Sequence, residues 1–200
     1  MAFREENAAR YPDYFNGAVP SFAPPDGEDA VRLLIVGLAP GLHGANQTGR
    51  PFTGDYAGDL LYDVLARHGL AQGEYAGHAD DGFSLNQTMV SNAVRCVPPQ
   101  NKPVGAEITA CRPFLQSRIA SLPSLKVILC LGKISHDSTA RALGLKLKDV
   151  PFGHGTEYPL PEGQTLLSSY HCSRYNTNTG RLTEEMFSTV IARAAALMTQ

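Results

Sequence analysis

Arg32 to Asp59 reads RLLIVGLAPGLHGANQTGRPFTGDYAGD, and a change of character inside it decides the architecture. Leu33-Leu34-Ile35-Val36 is an unbroken apolar run, the composition of a strand buried on both faces. From Gly37 onward, Gly41, Gly44, Gly49, Gly54 and Gly58 recur, with Pro40 and Pro51 among them. So many glycines weaken any helix or strand, but they suit a loop that brings its backbone close to a ligand. The same stretch carries His43, Asn46, Arg50, Phe52 and Asp55. About twenty residues without regular structure in a compact domain are usually functional. Buried strand, long polar loop, then helix is how open α/β sheets build sites at the carboxyl ends of their strands. The loop is not a P-loop, because no Gly-Lys-Ser/Thr closes it, and it is not a clean GxGxxG.

Two further stretches repeat the pattern. Ser169 to Arg181, SYHCSRYNTNTGR, follows the apolar run Thr165-Leu166-Leu167 and precedes a helical pattern. Asn92 to Pro103, NAVRCVPPQNKP, follows an apolar strand-like segment and is rich in turn residues. Strands are expected at Leu33 to Val36, Thr88 to Val94, Lys126 to Leu131 and Thr165 to Ser168. Helices are expected at Gly58 to His68, where Leu60, Leu61, Val64 and Leu65 have helical spacing, and at Glu107 to Leu122, Ile134 to Leu143 and Thr183 to Met198. Met1 to Arg10 reads as the remnant of a helix, and Tyr11 to Asp29, rich in Pro, Gly and aromatics, as an extended arm. Ala71 to Gly82 and Pro151 to Gly163 read as loops. Strands alternating with helices argue for a three-layer α/β/α sandwich around a parallel sheet.

Composition sets limits. Two hundred residues suit a single domain with a substantial core, its first thirty residues forming an N-terminal arm. No apolar run is long enough to span a membrane and no signal peptide is evident, so a cytoplasmic protein that does not engage membranes is expected, as a monomer. A net charge of −2 gives no global support for nucleic-acid binding; a basic footprint must be local. Four scattered cysteines do not read as a disulfide framework.

GLAPGLHGANQTGRPFTGD and SYHCSRYNTNTGRLT resemble the two signature segments of uracil-DNA glycosylases, most closely those of family 5, and NAVRCVPPQNKP resembles the same family. The resemblance covers nearly the whole chain. It implies a four-stranded parallel sheet flanked by helices, with the site along one edge of the strand ends. It implies a monofunctional glycosylase of base-excision repair, which cleaves uracil from DNA and leaves an abasic site; no lysine nucleophile for a lyase step is evident. The alternative is a protein that binds uracil-containing or otherwise damaged DNA with little or no turnover.

Such a reaction needs negative charge near a cationic sugar, donors near the departing base and a positioned water. The family pattern assigns Asp55 as the catalytic carboxylate, a residue that also suits the N-cap of the helix after it. His171 is the donor to the departing uracil oxygen, and Asn101 matches a position implicated in catalysis, although a turn residue before Lys102-Pro103 is an equal reading. Phe52 stacks on the flipped base or packs in the core. Asn92 is placed like the amide that reads the uracil edge. Ala39 stands where many relatives carry a polar residue, a departure typical of family 5 that implies wider tolerance, including hypoxanthine and xanthine. His43 and Asn46 line the pocket or shape the loop. Arg50, Lys102 and Arg181 are candidates for phosphate contacts, and Arg174 or Tyr175 for insertion into the duplex.

Cys96 and Cys111 match two of four ligands that hold a [4Fe-4S] cluster in the family. The other two form an N-terminal Cys-x-x-Cys pair that is missing here. Either the chain lacks the cluster or its numbering starts too late, and the second is the expectation. Cys130 reads as a buried apolar cysteine, and the chemistry itself needs no cofactor.

Overall fold

The structure is a computed structural model describing residues 2–199. In chain order it runs α1 (Ala2–Arg10), β1 (Leu33–Gly37), α2 (Ala45–Thr48), α3 (Tyr56–Arg67), β2 (Ala71–Gln72), β3 (Ser84–Leu85), β4 (Thr88–Asn92), α4 (Gly105–Ala120), β5 (Val127–Leu131), α5 (Lys133–Ala142), β6 (Glu157–Pro159), β7 (Thr165–Ser169), α6 (Arg174–Asn178) and α7 (Glu184–Leu197). The main sheet has the order β4-β1-β5-β7-β6. β4, β1, β5 and β7 are mutually parallel.

The apolar run that opened the sequence is buried on both faces because it serves two cores. Leu33 and Ile35 join Leu61, Leu65, Phe187 and Ile191, so α3 and α7 cover that face. Leu34 and Val36 join Leu115, Ile128 and Ala140, so α4 and α5 cover the other. β1 is followed by α3 on one face and leads to β4 on one side. β4 is followed by α4 on the opposite face and leads back past β1 to β5. The order reverses beside β1, which is where open α/β sheets bind ligands.

The three-layer α/β/α architecture is as expected, but the sheet has five strands, not four. Within the expected loop Pro151 to Gly163, β6 pairs antiparallel with β7, Glu157 opposite Leu167 and Pro159 opposite Thr165. Three residues ending in proline carry no readable alternation, and an edge position tolerates the missing N–H. At the opposite edge Phe22 of the N-terminal arm exchanges both backbone hydrogen bonds with Val90 of β4, at 2.8 and 2.9 Å. The arm thus covers an edge that would otherwise be open to pairing. No helix among the described residues is long and apolar enough to cross a membrane.

Candidate active site

β4 and β1 end side by side, β7 ends at the same edge of the sheet beyond β5, and the three polar stretches leave from those ends. Their side chains line one cavity of about 410 Å³, which includes Ala39, Phe52, Asp55, Asn92, Asn101 and His171. A groove of about 600 Å³ lies at the other end of the sheet, between the ends of α4 and α5 and the β6–β7 turn, and holds none of these residues.

Close approach begins at Gly37, the last residue of β1. A Cβ there would lie 2.4 Å from Asn92 Oδ1 and 2.5 Å from the Phe52 ring. Only glycine lets the amide and the ring close over that backbone. Asn92 ends β4 and is nearly buried. Phe52 is also nearly buried, and its φ of 53° puts an aromatic residue in the left-handed region, at a cost of about 1–3 kcal/mol. Its ring stacks on that of His171, with centroids 5.9 Å apart and planes 26° from parallel.

His171 follows β7, with its loop tied down from both sides. Asn176 Nδ2 donates to the His171 carbonyl at 2.8 Å, and His154 Nδ1 accepts from the Tyr170 N–H at 3.2 Å. Burial pushes the His171 imidazole below its ordinary pKa, with the charge of Asp55 pulling the other way. The ring is therefore neutral at neutral pH, with one N–H to donate. Asp55 is the N-cap of α3: Oδ1 accepts from the Gly58 N–H at 3.0 Å. Oδ2 faces Gly41 and Gly44, where added Cβ atoms would come within 3.6 and 3.1 Å. Both readings of Asp55, cap and pocket carboxylate, fit one geometry. Asn101, also in a left-handed conformation, accepts from the Leu42 N–H at 3.3 Å and so joins the first loop to the middle one.

Of the other candidates, Arg174 reaches the cavity lining and the rest lie outside it. Asn46 is fully buried and donates to Asn16 Oδ1 at 3.1 Å. His43 is exposed, 3.0 Å from the Tyr14 hydroxyl. Neither lines the cavity; they shape the loop. Arg50, a candidate phosphate contact, is buried instead, and its guanidinium is taken by Asp81 through two bonds of 2.8 and 2.7 Å. Three rings, those of Phe22, Tyr62 and Tyr75, surround it at 5.0–5.8 Å. Lys102, Arg174 and Arg181 are exposed. Arg174 lies over the Tyr56 ring and Arg181 over Tyr170, at 5.2 and 4.7 Å. Tyr175 is 73% exposed on α6, a helix that the polar composition of its loop did not suggest.

Leu38, Tyr56 and Ser173 also line the cavity and escaped the sequence reading. They lie within two residues of Ala39, Asp55 and His171, so proximity to each motif was the available signal. Cys96 and Cys111 are partly buried free cysteines. Among the described residues, no group of three or more His, Cys, Asp or Glu side chains is placed to hold a metal ion. A four-thiolate cluster needs two more thiolates than this pair supplies, so the described residues do not by themselves fit one. Cys130 is buried in β5, where burial pushes its thiol up to about 12.

Comparison with known proteins points to one family. The profile of the Uracil DNA glycosylase superfamily matches residues 24–195. A type-5 uracil-DNA glycosylase of Thermus thermophilus is 43% identical over 98% of this chain and 90% of its own length. One from Mycobacterium leprae is 41% identical over 92% and 80%, and one from Pyrobaculum aerophilum 36% identical over 86% and 75%. Cavity, motif order and relatives agree, and the chain belongs to the uracil-DNA glycosylase superfamily, alongside its type-5 members.

Proposed function

We propose that this protein hydrolyses the N-glycosidic bond of uracil in DNA and leaves an abasic site. One observation carries the reading: Phe52, Asp55, Asn92, Asn101 and His171, drawn from three separate strand-end loops, line a single cavity. The base swings out of the stack into this cavity. Phe52 offers its ring face, and the Asn92 amide, with both donor and acceptor, reads the uracil edge. As the bond to the sugar breaks, negative charge grows on the base and positive charge on the sugar. The neutral His171 ring donates to the base oxygen, an interaction worth roughly 3 kcal/mol of barrier in a dry site. Asp55 Oδ2, left over from the cap, faces the sugar cation and orients the attacking water. The Asn101 amide NH2, its oxygen already bonded to Leu42, is available to the same water.

Lys102, Arg174 and Arg181 meet phosphates around the mouth, and Tyr175 or Arg174 enters the gap left by the base. Ala39 offers no polar group to reject altered bases, so hypoxanthine and xanthine are accepted beside uracil. The protein acts as a monomer, since its substrate is DNA and the site is complete within one chain. Nothing in the geometry favours a binding-only protein, because carboxylate and imidazole face one cavity. The deciding experiment is alkaline cleavage of labelled duplexes holding one uracil, hypoxanthine or xanthine, with wild type and Asp55→Ala in parallel. Cleavage of the uracil duplex by wild type alone is the expected result. Tight binding without cleavage by wild type would sink the enzymatic reading.

A further inference from the structure

The turn Pro51-Phe52-Thr53-Gly54 presents the aromatic face of the cavity, and an unusual set of restraints converges on it. Gly58 of α3 sits so close that a Cβ there would lie 1.6 Å from the Phe52 carbonyl oxygen. The Tyr62 hydroxyl donates to the Pro51 carbonyl, and Arg50 Nε to Thr53 Oγ1 at 2.8 Å. The Tyr75 hydroxyl spans the turn itself. It donates to the Phe52 carbonyl at 3.3 Å and accepts from the Gly54 N–H at 3.2 Å. Tyr75 comes from the loop after β2, more than twenty residues away, and does not line the cavity.

We propose that Tyr75 is a positioning residue for Phe52: its hydroxyl ties the two sides of the left-handed turn together and holds the ring where a flipped base stacks. The proposal rests on the glycosylase reading for the role of Phe52. The Tyr75 ring packs on Tyr62 and Phe83, with centroids 4.8 and 5.7 Å away, and a phenylalanine would keep those contacts. The hydroxyl bonds fall on the turn alone. Phe52 pays for its left-handed backbone in strain, so removing the bridge lets the turn relax and carries the ring away from the base. A displacement of this kind lowers the rate of chemistry more than it weakens DNA binding.

The experiment is a double-mutant cycle of Tyr75→Phe with Phe52→Ala, read by single-turnover excision and by duplex affinity. Tyr75→Phe is expected to slow excision about tenfold or more, with duplex affinity within about twofold. In the Phe52→Ala background the same change is expected to have almost no effect on the rate. A second readout does not need activity. Because the Phe52 ring stacks on His171, the NMR shifts of the His171 ring protons report where Phe52 sits, and Tyr75→Phe is expected to move them. An unchanged rate in an active background, an equal loss in both backgrounds, or unmoved His171 signals would each overturn the proposal. A wild-type protein without excision activity would count against the glycosylase reading instead, and the His171 signals would still test the bridge. A large fall in melting temperature with those signals unmoved would assign Tyr75 to packing alone.

Discussion

Asp55 has two carboxylate oxygens, and the structure gives them different neighbours. Oδ1 caps α3, and Oδ2 faces the cavity beside Gly41 and Gly44. Asparagine caps helices about as well as aspartate, whereas alanine loses about 1 kcal/mol. Asp55→Asn is therefore expected to keep its melting temperature while losing excision, and Asp55→Ala to lose both; denaturant melts beside the duplex assay separate the two roles. An active Asp55→Asn enzyme would show that the charge is not needed. His171 makes its own prediction. Its pKa lies below the ordinary 6.5 because burial disfavours the charged ring, so near pH 6 the unfolded chain binds more protons at this position than the folded chain does. Its contribution to stability is complete above about pH 6.5 and is lost as pH falls from there towards the depressed folded value. His171→Gln is expected to flatten that part of the stability curve, measured as the difference from wild type between pH 7.5 and pH 5.5 (about two pH units, spanning the titration). Parallel curves would contradict the assigned burial.

At the scale of elements, α3 is pressed against the turn that carries Phe52. Alanine is normally favoured over glycine inside a helix by about 1 kcal/mol. At position 58 the order is expected to reverse, because the new methyl would overlap the Phe52 carbonyl. Overpacking of this kind costs about 1–3 kcal/mol, so Gly58→Ala is expected to be less stable and slower in excision. A gain in melting temperature would mean that α3 and the turn are not in contact as described. The buried Arg50–Asp81 pair links this unit to the loop after β2. The Arg50 fork holds Asp81 well below the usual carboxylate range, and the Ala76 and Phe83 N–H groups add to the effect. Removing one partner of a buried pair costs about 3–5 kcal/mol, so Asp81→Ala is expected to destabilise the protein by that order in urea melts.

For the whole molecule, charge decides how DNA is met. Seventeen basic and nineteen acidic residues leave a net −2, so no protein-wide positive field draws the duplex in. On the proposed function, binding is expected to come from local cations, with Lys102, Arg174 and Arg181 as the exposed candidates. If Lys102, Arg174 and Arg181 each meet one phosphate, the logarithm of affinity falls with the logarithm of salt at a slope of about −3. Replacing any one of them by alanine is expected to flatten the slope by about one. A slope unchanged by all three would place the DNA on another face.

The chain by itself was enough to show the alternation of strand and helix, the parallel sheet, the three strand-end loops and five of the residues that meet in the cavity, Phe52, Asp55, Asn92, Asn101 and His171. These are legible because each is local: a two-faced strand writes an unbroken apolar run, and a loop with a site after it writes glycines and polar residues in a recognisable order. What the tertiary structure alone decided depends on partners far away in sequence. Arg50 looks in sequence like any other basic loop residue, yet Asp81, thirty-one positions on, takes both arms of its guanidinium. β6 is too short to carry a period and exists because β7 offers an edge to pair with. His43 and Asn46 share their loop with Phe52 and Asp55, but Tyr14 and Asn16 of the N-terminal arm engage them outside the cavity. Local pattern sets which elements form, whereas the competition of distant groups for each buried donor and acceptor sets which side chains are left free for chemistry.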